Sequence, residues 1–104
     1  MRKTSGDRQN EHILVCLSSS PSNERIVCTA AQMARAFGGN LTALYVQTPD
    51  AAGMNAEDRS RLQANTLLAE RLGAEIVTTH GEDVATQIVE YARLSGVTRV
   101  IIGR

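Results

Sequence analysis

Strand-like and helix-like patterns alternate along the chain, and this alternation constrains the fold more than any other feature. Short runs rich in branched and apolar side chains, typical of strands, lie at residues 12–17, 41–46, 75–79 and 98–103. Three stretches with apolar residues at helical spacing lie between them, and each is followed by a glycine: Gly39, Gly73 and Gly96. The alternation predicts an α/β fold, with an open parallel sheet, right-handed crossovers and helices on both faces.

The turn after the first strand is rich in small hydroxylated residues. We predict that Ser20 is the N-cap of the first helix and that Pro21, which has no N–H to leave unpaired, takes its first position. The free backbone N–H groups at such a helix start attract phosphate. The sequence therefore leaves two interpretations of residues 18–22 open: a phosphate-binding turn or a plain helix cap.

The strands of a parallel sheet all end at one edge, which here gathers residues 18–22, 47–49, 79–81 and whatever follows Gly103. Ligands of open α/β sheets bind at this edge, where the strand order reverses. The last strand reaches the end of the sequence, so we expect a domain cut from a longer protein. We predict a flexible segment at residues 1–11 and one domain at residues 12–104.

Composition excludes several classes of function. Eleven basic and eleven acidic residues balance, so no basic field is available to hold DNA or RNA. No apolar run approaches the roughly 20 residues of a membrane span, and the polar start lacks the apolar centre of a signal peptide. We therefore expect a cytoplasmic domain with no membrane span and no nucleic-acid partner.

No catalytic pattern stands out, so we predict that this chain is not an enzyme. The sequence has no metal-ligand cluster, no Ser/His/Asp set and no phosphate-binding Gly-x4-Gly-Lys-Ser/Thr loop. Cys16 and Cys28 fit neither a zinc nor a redox spacing and are expected to be core thiols. His80 is interpreted as a solvated loop residue, and Arg61 as part of a solvated helix face.

Residues 12–104 resemble the universal stress protein domain of the KdpD family of bacterial sensor histidine kinases, which control potassium uptake. The pieces that carry the resemblance lie at residues 13–21, 41–46, 81–85 and 97–104. The resemblance implies a Rossmann-like fold in a cytoplasmic region of a membrane-anchored parent kinase. It also implies that ATP binds only in the parent's separate kinase core. Implied partners are other domains of the parent, a universal stress protein or a second copy.

Some members of this family resemble receptors for cyclic di-AMP and carry Ser-x-Ser, twenty residues, then Phe-Thr-Ala-x-Tyr. This chain matches that motif with leucine in place of phenylalanine. The resemblance implies a nucleotide site, without a further cofactor or a metal, at Ser18, Ser20, Leu41, Thr42, Ala43, Tyr45 and Gly103.

Free-standing universal stress proteins that bind ATP show an aspartate just after the first strand and Gly-x2-Gly-x9-Gly-Ser/Thr after the fourth. Leu17 and Ser18 replace the aspartate region, and Gly103 supplies only the first glycine. We therefore expect a non-catalytic regulatory domain of a sensor kinase that binds cyclic di-AMP. The alternatives are a free-standing ATP-binding stress protein and a pure protein-docking domain.

Overall fold

The structure, a computed structural model, describes residues 11–49 and 53–102. Its strands and helices alternate as the sequence predicts. They are β1 His12–Cys16, α1 Asn23–Phe37, β2 Asn40–Gln47, α2 Ala56–Arg71, β3 Glu75–His80, α3 Val84–Ser95 and β4 Arg99–Ile101. The predictions for Gly103, and for residues 1–10 of the N-terminal segment, lie outside the described residues.

All four strands are parallel and form one sheet in the order β3-β2-β1-β4. Ile13 of β1 lies between Leu41 of β2 and Arg99 of β4. The chain moves outward from β1 through β2 to β3, and it then crosses back to place β4 on the other side of β1. The strand order therefore reverses beside β1. The predicted α/β fold with an open parallel sheet is confirmed.

Helices cover both faces of the sheet, as predicted. Successive side chains of a strand point to opposite faces, so Ile13 and Val15 pack against α1 and α2, while Leu14 packs against α3. Val27 of α1 is fully buried on the first face, and Ile88 of α3 is buried on the second. Gly38 and Gly96 end α1 and α3 in the left-handed conformation, with φ of 65° and 69°.

The predicted start of the first helix is wrong by two residues. α1 begins at Asn23, and Ser22, not Ser20, takes the N-cap position, where its side chain makes no capping bond. The N–H of Asn23 donates to the Ser20 carbonyl (3.0 Å) and closes a turn through Pro21. The side chain of Asn23 is hydrogen-bonded to the end of β1, at Cys16 and Ser18. Residues 20–22 therefore form a turn, and the helix begins only at Asn23.

At the N-terminal edge of the sheet, His12 joins β1 to its neighbours. Its Nε2 atom lies 2.8 Å from Thr42 Oγ1, and its Nδ1 atom lies 3.2 Å from the Ser95 carbonyl oxygen. Arg99 stacks over the Phe37 ring (4.6 Å to the centroid) and forms an ion pair with Glu11. The polar side chains at this edge are therefore bonded to one another and stabilise the fold. Within residues 11–49 and 53–102, no helix has the length and apolar character needed to span a bilayer.

Candidate functional site

Residues 18–22, here called the serine loop, follow β1 at the point where the strand order reverses. Asn23 fixes the start of this loop. Its Nδ2 atom donates to the Cys16 carbonyl (2.9 Å), and its Oδ1 atom accepts from the Ser18 N–H (3.2 Å). Only 3% of Asn23 is exposed. A buried carboxamide thus links the end of β1, the loop and the first turn of α1.

Within the serine loop, hydroxyl groups bond to backbone N–H groups. Ser18 Oγ accepts from the Ser20 N–H (3.2 Å), and Ser20 Oγ accepts from the Ser22 N–H (3.3 Å). The hydroxyls of Ser20 and Ser22 lie 2.9 Å apart. Four serine hydroxyl groups are therefore concentrated in one tight turn, and hydroxyls are groups that can donate to a phosphate oxygen.

Two side chains of α2 hold the serine loop from the outside. Asn65 Nδ2 donates to the Ser18 carbonyl (2.9 Å), and an Arg61 Nη atom donates to the Ser19 carbonyl (3.0 Å). Arg61 also pairs with Asp58 (3.4 Å) and Glu57 (3.7 Å). The prediction that Arg61 belongs to a solvated surface is wrong, because the side chain is half-buried and bonded to the loop. Asn65 was not predicted as a site residue. In the sequence, only its position as an asparagine on the apolar face of a helix points to a role.

A cleft of about 360 Å³ opens between the serine loop, the end of β2 and the start of α3. Apolar groups dominate its walls, with Val84 and Ile88 of α3 on one side and Tyr45 and Met54 on another. None of the described residues that line it carries a charge. The full lining is Cys16, Leu17, Ser18, Ser19, Asn23, Leu44, Tyr45, Val46, Thr48, Met54, Val84, Ile88 and Ile102.

The residues predicted to bind a ligand are only partly brought together. Ser18 and Tyr45 line the cleft, and Ser20 lies in the adjoining loop. Leu41 and Ala43 are buried against α1 and α2, farther from the C-terminal end of β2. Thr42 is bonded to His12 and is 1% exposed. All three therefore lie outside the cleft lining.

Cys16 lines the cleft, and burial raises the pKa of its thiol to about 11. A thiol is mostly neutral near pH 7 even at its ordinary pKa, and the raised pKa keeps this wall of the cleft uncharged at higher pH as well. Cys16 and Cys28 are half-buried free thiols, so the expectation of core cysteines is met only in part. His80 is exposed at the end of β3 and does not line the cleft.

A second cavity, of about 420 Å³, opens at the opposite edge of the sheet between His12, Arg35, Asn40 and Glu75. It is the larger of the two, but it lies at the N-terminal ends of the strands, where open α/β sheets do not bind their ligands. The imidazole of His12 and the hydroxyl of Thr42 are bonded to each other there. The cleft beside the serine loop is therefore the better candidate.

Comparison with protein families matches residues 9–104 to the universal stress protein family. The chain belongs to this family. It is 45% identical over 95 residues to a sensor protein KdpD of Clostridium acetobutylicum and 32% identical over 92 residues to the sensor protein KdpD of Escherichia coli. These matches cover 91% and 88% of this chain but 10% of each sensor protein. This universal stress protein domain is thus homologous to a segment of a much longer protein.

Solved structures of universal stress proteins share the fold. One of them, a universal stress protein in complex with cAMP, superimposes with a TM-score of 0.65 at 22% identity. The match covers 86% of this chain and 69% of that protein. The likeness confirms the Rossmann-like architecture expected from the sequence.

Proposed function

We propose that this domain is a non-catalytic regulatory module of a KdpD-like sensor histidine kinase that controls potassium uptake, and that it binds cyclic di-AMP in the cleft. The observation that carries the proposal is the pairing of an uncharged, mostly apolar cleft with the hydroxyl-rich serine loop. Homology to two KdpD sensor proteins supports the parent. In that parent the domain is cytoplasmic, next to a membrane-anchored region, and its partners are the other domains of the kinase.

The walls of the cleft suit an adenine base. Val84, Ile88 and Met54 provide apolar surface, and the Tyr45 ring provides an aromatic face with a polar O–H. Base stacking on an aromatic ring contributes roughly 1–3 kcal/mol in other nucleotide sites. The volume, about 360 Å³, is near the lower end of ligand pockets. We therefore expect one nucleotide half in the cleft and the other at its mouth.

The absence of charge from the described lining distinguishes between nucleotides. Each phosphodiester of a cyclic nucleotide carries one negative charge, which hydroxyls and amides can solvate. The triphosphate of ATP concentrates several charges, and burying them without cations costs far more. The similar universal stress protein that was solved with cAMP holds a phosphodiester of this kind. These arguments favour a cyclic nucleotide over the ATP of the free-standing stress proteins.

Calorimetric titration of the 104-residue chain with cyclic di-AMP, cAMP and ATP tests this proposal. We expect saturable heat from cyclic di-AMP. Tyr45→Ala should weaken that binding by at least about fivefold because a stacking surface is lost, and Ser20→Ala should also weaken it. Ser60→Ala is the matched control for the serine, since this exposed residue does not line the cleft.

Each other outcome has a definite meaning. Binding of ATP alone would contradict the proposal and favour a free-standing stress protein. Silence with all three nucleotides would favour the docking domain. The exposure of apolar side chains on α3 and just after β4, with Leu94 85% and Ile102 62% exposed, is the observation that supports this second candidate.

A further inference from the structure

We infer that α2 positions the serine loop for its ligand, through hydrogen bonds from Asn65 and Arg61 to two consecutive loop carbonyls. The identity of the ligand rests on the proposed function, whereas the contacts between α2 and the loop are observed in the structure. The two donors are one helical turn apart, so they lie on the same face of α2. Their acceptors are 47 and 42 residues away along the chain, at Ser18 and Ser19.

The direction of these bonds determines where the loop amides point. In a trans peptide the C=O of one residue and the N–H of the next point in opposite directions. With the Ser18 carbonyl turned toward Asn65, the N–H of Ser19 points away from α2. With the Ser19 carbonyl turned toward Arg61, the N–H of Ser20 also points away, and it meets Ser18 Oγ at 3.2 Å. α2 thus aligns successive donors of the loop.

Asn65 is a positioning residue because it is only 5% exposed and its side-chain amide is bonded to the loop. A carboxamide buried without a partner costs free energy, so an apolar residue would pack there with less penalty if the bond had no use. Asn65 does not line the cleft. It therefore acts on a ligand through the loop.

Arg61 acts by position as well, and its charge is already compensated. Its guanidinium lies 3.4 Å from Asp58 and 3.7 Å from Glu57 while it donates to Ser19. Two carboxylates pair with the cation, and Arg61 is not among the residues that line the cleft. Removal of this side chain should therefore weaken ligand binding without changing the dependence of the Kd on salt.

The test uses the 104-residue chain with Asn65→Leu and Arg61→Met. Asn65→Leu keeps the approximate volume of the side chain and removes the donor, and Arg61→Met removes the donor of a half-buried residue while keeping an unbranched apolar stem. Leu68→Ala and Arg71→Met are the controls on the same helix. Leu68 packs on the core, and Arg71 is exposed.

Hydrogen exchange of the Ser19 and Ser20 amides in the ligand-free protein comes first, because these amides belong to the two peptides whose carbonyls α2 holds. Loss of one bond should speed this exchange about five- to tenfold in both variants, and the controls should not change it relative to their global stability. Stopped-flow binding of cyclic di-AMP comes second. The association rate should fall in proportion to the fraction of molecules that hold the competent loop, and the dissociation rate should stay constant.

The two readouts separate the failure of this inference from the failure of the proposed function. Unchanged loop exchange in both variants overturns the inference, whatever the ligand does. A faster dissociation rate with an unchanged association rate, or a reduced salt dependence in Arg61→Met, also overturns it, because the side chains would then touch the ligand. If the unmodified chain binds no cyclic di-AMP, the proposed function fails, and the exchange data still decide whether α2 positions the loop.

Discussion

At the scale of single residues, two buried asparagines determine the geometry of the candidate site. Asn23 joins the end of β1 to the serine loop, and Asn65 joins the loop to α2. A carboxamide both donates and accepts, so one side chain can satisfy a carbonyl and an N–H at once. Asn23 does this, because it donates to the Cys16 carbonyl and accepts from the Ser18 N–H just beyond the end of β1.

Cys16 provides a pH-dependent test of the burial of the cleft wall. Because the pKa of this thiol is raised to about 11, the folded protein keeps it neutral until the pH rises through that value. At pH 8 the thiolate fraction should be roughly a hundredfold lower than for an unburied cysteine. We expect slow alkylation of Cys16 by iodoacetamide in a Cys28→Ser background, measured by mass spectrometry from pH 7 to 11.

Burial of the Cys16 thiol also makes the free energy of unfolding depend on pH, and this free energy falls as the pH rises. The folded state gains the full contribution of the neutral buried thiol below the pKa of the unfolded chain, and this contribution is lost as the pH rises toward 11.

The alkylation experiment has a contradicting outcome. If Cys16 reacts near pH 8.5 as fast as a cysteine of the unfolded chain, the thiol is not buried. Saturating cyclic di-AMP should slow the alkylation further if the ligand occupies the cleft.

The sequence predicts some residues of the site and misses others for a physical reason. Ser18 and Tyr45 follow from the edge where parallel strands end and from the motif spacing, and both line the cleft. Asn65 and Arg61 act through contacts that span more than 40 residues. Local patterns of hydropathy and charge carry no record of such contacts, so Arg61 is predicted to be solvated.

At the scale of elements, α2 connects the serine loop to one wall of the cleft. Asn55 caps this helix, and its Oδ1 atom accepts from the Asp58 N–H at 2.7 Å. The preceding residue, Met54, lines the cleft. The start of α2 is therefore fixed by a local bond beside the candidate site, while Arg61 and Asn65 act about two and about three turns farther along.

Loss of this cap should reduce stability by a predictable amount. Asn55→Ala removes the acceptor and should lower the free energy of unfolding by about 1 kcal/mol. Asn55→Asp keeps an acceptor and places a carboxylate at the positive end of the helix, so it should retain or increase stability. Urea denaturation followed by circular dichroism measures both. Equal stability of Asn55→Ala and the unmodified chain would show that the cap contributes nothing.

The elements themselves were predictable because each has its own period and its own stop. The second helical stretch, between the strand-like runs at 41–46 and 75–79, is predicted to stop at Gly73, and the structure has this helix at Ala56–Arg71. The first helix was harder to place, because a serine before a proline is equally compatible with a cap and with a turn. The bonds of Asn23, which depend on the position of β1, decide in favour of the turn.

At the scale of the whole molecule, the reversal of strand order beside β1 places the serine loop, the end of β2 and the start of α3 around one cleft. Alternation along the chain predicts a parallel sheet, but the order β3-β2-β1-β4 depends on pairings between distant segments. The two cavities described above lie at opposite ends of these parallel strands. Which cavity binds a nucleotide is thus the central question about this molecule.

Amide chemical-shift mapping of the 104-residue chain, titrated with cyclic di-AMP, answers this question directly. We expect the largest amide shifts in residues of the cleft: Ser18, Ser19, Tyr45, Val84 and Ile88. Residues of the opposite cavity, such as Arg35 and Glu75, serve as the internal control. Shifts concentrated at that opposite cavity, or no saturable shifts at all, would contradict the account.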